Sequence, residues 1–431
     1  MNVSVVGSGY VGTTVAACLA DLGHDVVAID IDQDVVDSIN AGEPPLHEPG
    51  LDELIETHVG SRLRATTDYD AVLDTELTML AIQTPSREDG SIDASAIEAA
   101  AGMLGETLVA KDDYHLAVVK STVIPDTIED RLVPAIEQGA GKTDGQEIGV
   151  AVNPEFQREG TAIEDFMDPD RVVLGTDGDE RALARLRELY EPLVGESVPV
   201  VETGRREASM IKYASNVFLA SKISLINELG NVCKEYGVDA YEVADAMGLD
   251  DRIGAKFLRS GVGWGGSCFS KDTDALRAAA RKRGYEPELL DAVVGVNDRQ
   301  PGRLLTLLDR HVDVTDRRVA VLGLAFKPGT DDIRGTRAAP VIEGLAERGA
   351  SVAAYDPTRA SEAMAERYPE VEYTDSAAAA LEGSHGAVVV TDWPEFAELD
   401  SEFDTMAEPV VVDGRRIVEP REGITYEGLT W

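Results

Sequence analysis

Basic residues are scarce in this chain. Lysine and arginine number 39 against 80 aspartates and glutamates, for a formal charge of −41. Only ten are lysine: Lys111, Lys120, Lys142, Lys212, Lys222, Lys234, Lys256, Lys271, Lys282 and Lys327. That balance excludes a basic footprint for nucleic acid. The acid is spread along the chain, and the 43% hydrophobic content is that of an ordinary core. An acidic, lysine-poor surface points to work in concentrated salt, where the Debye length falls to about 3 Å and self-repulsion is screened. An acidic protein of ordinary salt is the alternative. Cysteine is equally sparse. Cys18, Cys233 and Cys268 are odd in number and far apart, so neither a disulfide framework nor zinc-ligand spacing is present. A reducing cytoplasm is the simplest compartment. The histidines (His24, His47, His58, His115, His311, His385) are scattered and mostly read as surface or loop, and no metal is expected. Long apolar runs are missing: Leu116 to Val119 and Val388 to Val390 fall far short of the roughly 18 residues a membrane helix needs. Met1-Asn2-Val3-Ser4 has no basic stretch and reads as a strand rather than a signal peptide.

What is present is organised. At roughly 100–200 residues per domain, the length suggests two to four domains. Val3 to Val6 reads as a strand, Gly7-Ser8-Gly9-Tyr10-Val11-Gly12 follows, Thr13 to Leu22 reads as a helix, and Asp25 to Asp30 as a second strand ending in acid. Gly7 permits a tight turn, Gly9 lets backbone approach a pyrophosphate, and Gly12 lets the helix pack on the strand. The helix N-terminus then faces phosphate, and Asp30 faces the ribose hydroxyls. A carboxylate there repels a 2′-phosphate, which favours NAD over NADP. Buried strands are expected at Leu77–Ile82, Leu116–Val119, Ile148–Val152 and Val172–Leu174, in a doubly wound parallel sheet. The first three end in Gln83-Thr84-Pro85, Lys120-Ser121-Thr122 and Asn153-Pro154-Glu155, the expected rim of one site at the strands' carboxyl ends.

From Glu202 to Tyr236 apolar residues recur at helical spacing with no proline, which predicts one helix about 50 Å long, a spine and a candidate dimer surface. Beyond the glycine-rich stretch Gly261 to Gly266, a second α/β series has strands at Arg318–Gly323, Ser351–Asp356, Ala387–Thr391 and Val410–Asp413. Ser376 to Leu381 reads as a surface helix. The expectation is an α/β chain of two Rossmann-like doubly wound lobes joined by a long central helix, divided near 1–200, 201–300 and 301–431.

Cys268 lies in Gly265-Gly266-Ser267-Cys268-Phe269-Ser270-Lys271-Asp272. Glycines give access, and Lys271 with a helix start would favour the thiolate. In an NAD protein such a thiol can trap an aldehyde as a thiohemiacetal, which a second hydride transfer converts to a thioester. Cys18 and Cys233, on apolar helix faces, read as small buried hydrophobes.

These residues resemble the UDP-glucose/GDP-mannose dehydrogenase family. The matching segments are GSGYVG at Gly7–Gly12, Glu48-Pro49-Gly50-Leu51, QTPS at Gln83–Ser86, KSTV at Lys120–Val123 and NPEFQREG at Asn153–Gly160. Further on are KYASNVFLA at Lys212–Ala220, RIGAKFL at Arg252–Leu258, GWGGSCFSKD at Gly263–Asp272, AFKPGTDDIR at Ala325–Arg334 and DGRR at Asp413–Arg416. They run end to end in the family's order, and five of the ten lysines fall inside them. The resemblance implies oxidation of the C6 alcohol of UDP-glucose to a carboxylate, with two NAD reduced. It implies Cys268 as nucleophile, Lys212 and Asn216 as oxyanion stabilisers, Asp272 with Thr122 holding a water, and Glu155 assisting thioester hydrolysis. It places NAD on Gly7, Gly9, Tyr10, Val11, Gly12, Asp30, Thr84, Thr122, Glu159, Lys271 and Arg334. It places the sugar nucleotide on Glu155, Lys212, Asn216, Arg252, Arg259, Gly265, Phe326, Lys327 and Arg415, with the C-terminal part binding the UDP-sugar. Arg252 would reach a neighbouring subunit, so a homodimer is expected.

The chain departs from the family's commoner residues at Trp264, Ser270, Gln157 and Gly335-Thr336, and Trp264 and Gln157 are expected near the sugar. GDP-mannose or a UDP-N-acetylhexosamine is the nearest alternative substrate. A two-electron hydroxyacid dehydrogenase would need the lysine and asparagine but neither Cys268 nor a second lobe, and an NAD-sensing module would need none of these. The charge predicts a melting temperature that rises from about 0.1 M to about 2 M KCl; equal values by circular dichroism would refute the salt reading.

Overall fold

The computed structural model of the chain describes residues 1–195 and 198–431. It forms two compact units, Met1–Ser215 and Asn216–Trp431, and the division falls inside one helix, Arg205–Glu235. Among the described residues no helix is long and apolar enough to cross a membrane.

The first unit holds β1 (Asn2–Val6), β2 (Asp25–Ile29), β3 (Leu63–Thr66), β4 (Leu77–Leu80), β5 (His115–Val119), β6 (Ile148–Val152), β7 (Val172–Gly175) and β8 (Val200–Thr203). Their order is β3-β2-β1-β4-β5-β6-β7-β8. The first six give the 3-2-1-4-5-6 order of a dinucleotide-binding sheet, with its switch point beside β1. The second unit repeats it: β9 (Arg318–Leu322), β10 (Ser351–Tyr355), β11 (Glu372–Tyr373), β12 (Gly386–Val389), β13 (Val410–Asp413) and β14 (Thr425–Gly428) run β11-β10-β9-β12-β13-β14, all parallel. The two doubly wound lobes and the long helix agree with the sequence reading.

Several details differ from it. β3, β8, β11 and β14 were not anticipated. They are the four sheet edges, short and with one flank unpaired, so no continuous apolar run marks them. β7 runs antiparallel to β6 instead of extending the parallel series. The loop between them turns back at the carboxyl end of β6. The buried Glu48 carboxylate takes the Gly160 and Ala162 amides at 2.8 and 2.6 Å, holding the loop near the carboxyl end of the sheet, and the chain re-enters β7 from there. Glu202 and Thr203 complete β8, so the long helix begins only after Gly204. The helix Ala377–Leu381 is no surface element: Ala377, Ala380 and Leu381 are buried in the second core.

The helix Tyr10–Asp21 starts inside the glycine fingerprint, not after it. Gly7 has φ +93°, and a methyl on Gly12 would lie 1.7 Å from the Gly7 carbonyl oxygen, so the turn and the helix start demand both glycines. At its own N-terminus, the long helix is pinned by Arg205. Its buried guanidinium pairs with Glu129, Asp144 and Asp177 at 3.1, 2.5 and 2.8 Å.

His24 and His115 are buried, contrary to the surface reading. His115 sits on β5 with Nε2 2.8 Å from the Thr78 hydroxyl and Nδ1 3.1 Å from the Thr75 carbonyl. The carbonyl assigns the proton to Nδ1. Burial, then the Lys111 charge, pushes its pKa down to about 3 from 6.5. Unfolded His115 therefore binds a proton that the folded chain refuses, and its share of stability is lost as pH falls below 6.5. The slope from this group is at most about 1.4 kcal/mol per pH unit. His115→Gln is expected to lose less stability than the parent on going to about pH 5; identical pH dependence in denaturant titrations would refute the assignment.

Candidate active site

In the first unit the candidate residues gather at the carboxyl ends of the central strands. The Gly7 amide donates to the Ile29 carbonyl at 2.8 Å, joining the ends of β1 and β2. Asp30 accepts the Ser8 amide at 2.5 Å and the Asp32 amide at 3.0 Å, so its carboxylate is fixed against the glycine turn. Thr84 donates to the Thr122 carbonyl at 2.9 Å, tying the β4 end to the β5 end. Val11 is half-buried in the first turn of the helix beginning at Tyr10. The Tyr10 hydroxyl donates to Glu48 and accepts the Gly160 amide at 3.2 Å. Glu159, the neighbour of Gly160, is thereby brought to the glycine helix. The buried Ser8 hydroxyl has no hydrogen-bond partner beside this turn. An orphaned hydroxyl, two exacting glycines and a fixed acid at the next strand end fit a dinucleotide.

Beyond β6, Glu155 and Lys212 form an ion pair at 2.8 Å, with side chains only 8% and 5% exposed. Burial works to raise the Glu155 pKa. Lys212, then Lys120, and a 2.8 Å hydrogen bond from the Gln157 amide outweigh it and hold the carboxyl below its usual value. Gln157, expected near the sugar, adjoins Glu155 through that backbone amide, while its side chain turns elsewhere. Its amide nitrogen reaches the Thr14 hydroxyl at 3.3 Å and the Ala162 carbonyl at 3.1 Å, which fastens the loop to the glycine helix.

The second unit builds around the helix Ser267–Lys282. Cys268 is in its first turn and exposed, in no disulfide. One turn on, Asp272 is 1% exposed, accepts the Asn216 amide at 2.6 Å and pairs with Lys271 at 2.6 Å. Lys271, expected to favour the thiolate and touch the cofactor, pairs its ammonium with Asp272. The loop before Cys268 is held by carboxamides: Asn227 accepts the Gly261 amide, Asn297 accepts the Trp264 amide, and Gln300 donates to the Gly261 carbonyl, at 2.8, 2.8 and 2.9 Å. Trp264, expected near the sugar, is part of the core: it packs with Ala220 and Val293 and donates to Ser224 at 3.0 Å. A methyl on Gly265 would lie 2.4 Å from the Gly335 carbonyl, and the Phe326 ring covers Gly266. The Gly266 amide donates to the Arg334 carbonyl at 2.9 Å. Gly265, Phe326 and Arg334 thus meet beside the cysteine helix, with Lys327 5.6 Å from the Phe326 ring. Arg415 joins them through the Gly263 carbonyl at 3.3 Å and the Val390 carbonyl at 2.7 Å. Buried Asp413 holds that turn, accepting four amides from Arg415, Arg416, Ile417 and Val418.

Arg252 and Arg259 stay outside this cluster. Arg252, 89% exposed in its side chain, forks onto Asp250, and Arg259 pairs with Asp245. Sequence reasoning gave no role to Glu48, Asn227, Asn297, Gln300 or Asp413, and named Lys120 and Asn153 only as part of the polar rim at the strand ends. Asn297 and Gln300 were findable as polar residues at i, i+3 on an otherwise apolar helix face.

Residues 1–194 match the NAD binding domain of the UDP-glucose/GDP-mannose dehydrogenase family, 206–299 its central domain and 320–420 its UDP binding domain. UDP-glucose 6-dehydrogenase AglM of Haloferax volcanii is 59% identical over 431 residues, covering 100% of both chains. TuaD of Bacillus subtilis, also a UDP-glucose 6-dehydrogenase, is 41% identical over 98% of this chain and 90% of its own. A solved UDP-glucose dehydrogenase of Pyrobaculum islandicum superposes with a TM-score of 0.93 at 43% identity, covering 100% of this chain and 98% of that one. The chain belongs to the UDP-glucose/GDP-mannose dehydrogenase family.

Proposed function

We propose that this enzyme oxidises UDP-glucose to UDP-glucuronate in two NAD-dependent steps through a thioester on Cys268. The observation that carries the reading is the exposed Cys268 in the first turn of its helix with the buried Asp272 a turn later, held by Asn216 and Lys271. The activity named for the relatives supports the sugar. GDP-mannose and the UDP-N-acetylhexosamines are the alternatives.

Gly7, Gly9, Tyr10, Val11 and Gly12 would hold the NAD pyrophosphate and Asp30 the ribose, with Thr84, Thr122, Glu159, Lys271 and Arg334 completing its contacts. NAD supplies a hydride acceptor at each of the two oxidations. The chain supplies the rest. Asp272 and Thr122 hold the water that takes the hydroxyl proton. The Cys268 thiolate adds to the aldehyde carbon, forming the C–S bond of a thiohemiacetal whose oxyanion Lys212 and Asn216 offset. After the second oxidation Glu155 takes a proton from water, the resulting hydroxide attacks the thioester, and the C–S bond breaks to release carboxylate and thiolate. Arg259, Gly265, Phe326, Lys327 and Arg415 bind the sugar nucleotide, the cations offsetting its pyrophosphate.

The working unit is a homodimer in a reducing cytoplasm, where Cys268 stays a thiol. Phe218, Leu225 and Val232 are 69%, 60% and 49% exposed. Seven residues apart, they line one face of the long helix and suit a second copy. Arg252 extends freely enough to reach that copy.

With limiting UDP-glucose in about 2 M KCl, two NADH per sugar are expected. One would refute the thioester route, and none would move the substrate to GDP-mannose or an N-acetylated sugar. Cys268→Ser should form no carboxylate; full conversion would refute the nucleophile. Leu225→Glu should halve the mass seen by light scattering; a monomeric parent would refute the dimer.

A further inference from the structure

Lys120 has no part in the chemistry above, yet it is buried beside it. It follows β5 directly, is 4% exposed, and donates from Nζ to Asn153 Oδ1 at 2.8 Å, with Tyr190 Oη at 3.4 Å. The Phe166 and Tyr190 rings each lie with centroids 5.9 Å from the ammonium. Asn153 is itself locked, donating from Nδ2 to the Val173 carbonyl at 2.9 Å. Both hydrogen-bond partners are neutral, so among the described residues no group hydrogen-bonded to Lys120 cancels its charge. The ionised groups acting on it are Glu155, which holds its proton on, and Lys212, which opposes; Tyr190 is the other titratable group in contact. A lysine is costly to bury, and this chain has few.

We propose that Lys120 is a positioning residue that keeps the buried Glu155 carboxylate charged and paired with Lys212. The second cation, anchored through Asn153 two residues before Glu155 at the neighbouring strand end, adds to the larger influence of Lys212 in offsetting the desolvation that favours the protonated carboxyl. That matters for thioester hydrolysis only if Glu155 is the base, so this consequence rests on the reaction proposed above. Burial pushes the Lys120 pKa down to about 8, which leaves it mostly charged at neutral pH and titratable just above.

The coupling is reciprocal, so it can be read from either partner. In protein labelled with lysine ε-13C, burial lowers the midpoints of both Lys111 and Lys120, and Lys111→Arg removes the first so that the Lys120 resonance is followed alone. Glu155→Gln is expected to lower that midpoint by about one pH unit or more; an unchanged midpoint would overturn the proposal. This measurement needs neither substrate nor a folded Lys120 variant. In single-turnover decay of the acyl-enzyme followed by mass spectrometry, Lys120→Met is expected to move the acid limb of the pH profile up by about one unit. An equal loss at every pH would mark a merely structural role and overturn the proposal. Parent-like hydrolysis by Glu155→Gln would instead remove Glu155 as the base while leaving the titration result to judge Lys120.

Discussion

A carboxylate removed from water stays charged only if cations or hydrogen-bond donors are brought to it. Glu155 meets that condition through Lys212, and the requirement reaches far into the first unit. Losing one partner of such a buried pair typically costs about 3–5 kcal/mol, because the other charge is left stranded. Lys212 must therefore be delivered accurately, and the long helix delivers it. Arg205, seven residues earlier and so on the same face, is clamped by Glu129, Asp144 and Asp177. Two anchors, two turns apart, fix the rotation and height of the helix, and Asn216 follows one turn further on. Buried pairs are screened far less than surface ones, so this arrangement suits a chain of charge −41 in strong salt.

The few lysines show how cations are allocated on such a chain. Outside the family segments, Lys111 donates to the Leu73 carbonyl at 2.8 Å, Lys142 to that of Leu108 at 2.7 Å, and Lys222 to that of Ile253 at 3.0 Å. Lys234 reaches the Trp431 carbonyl at 2.7 Å and also pairs with Glu427. These ammoniums sit where carbonyls converge at the ends of elements, a place that the compact three-donor head of lysine fills well. Surface ion pairing is left mostly to arginine.

The two lobes show one backbone plan turned to different ends. Gly323 donates to the Tyr355 carbonyl at 2.8 Å, as Gly7 does to Ile29. Asp356 follows β10 as Asp30 follows β2. Asp30 is half-buried and accepts single amides on each oxygen, whereas Asp356 is 4% exposed and one of its oxygens takes the Leu324 and Ala325 amides and the Trp393 indole. An acid so enclosed cannot meet a ribose. In the second lobe it stiffens the turn that leads to Phe326 and Lys327.

The sequence alone determined the two strand–helix series, the long helix, the glycine turn with its acid, and the cysteine helix start. Each is a local matter: periodicity, glycine geometry and residue type act within a few neighbours. The edge strands β3, β8, β11 and β14 escaped because half their pairing is absent and their residues need not be apolar. The loop that leads into the reversed β7 is held by Glu48, more than a hundred residues away from that strand along the chain. Trp264 and Gln157 read as residues near the sugar because their neighbours are functional; packing of Trp264 against Ala220 and Val293, and the reach of Gln157 to Thr14, were not legible there. Tertiary structure alone decided which charges lose water and which partners they then find. Desolvation is a property of the folded surroundings, so Lys120 reads in sequence as one motif letter and becomes, in the fold, the second cation at Glu155.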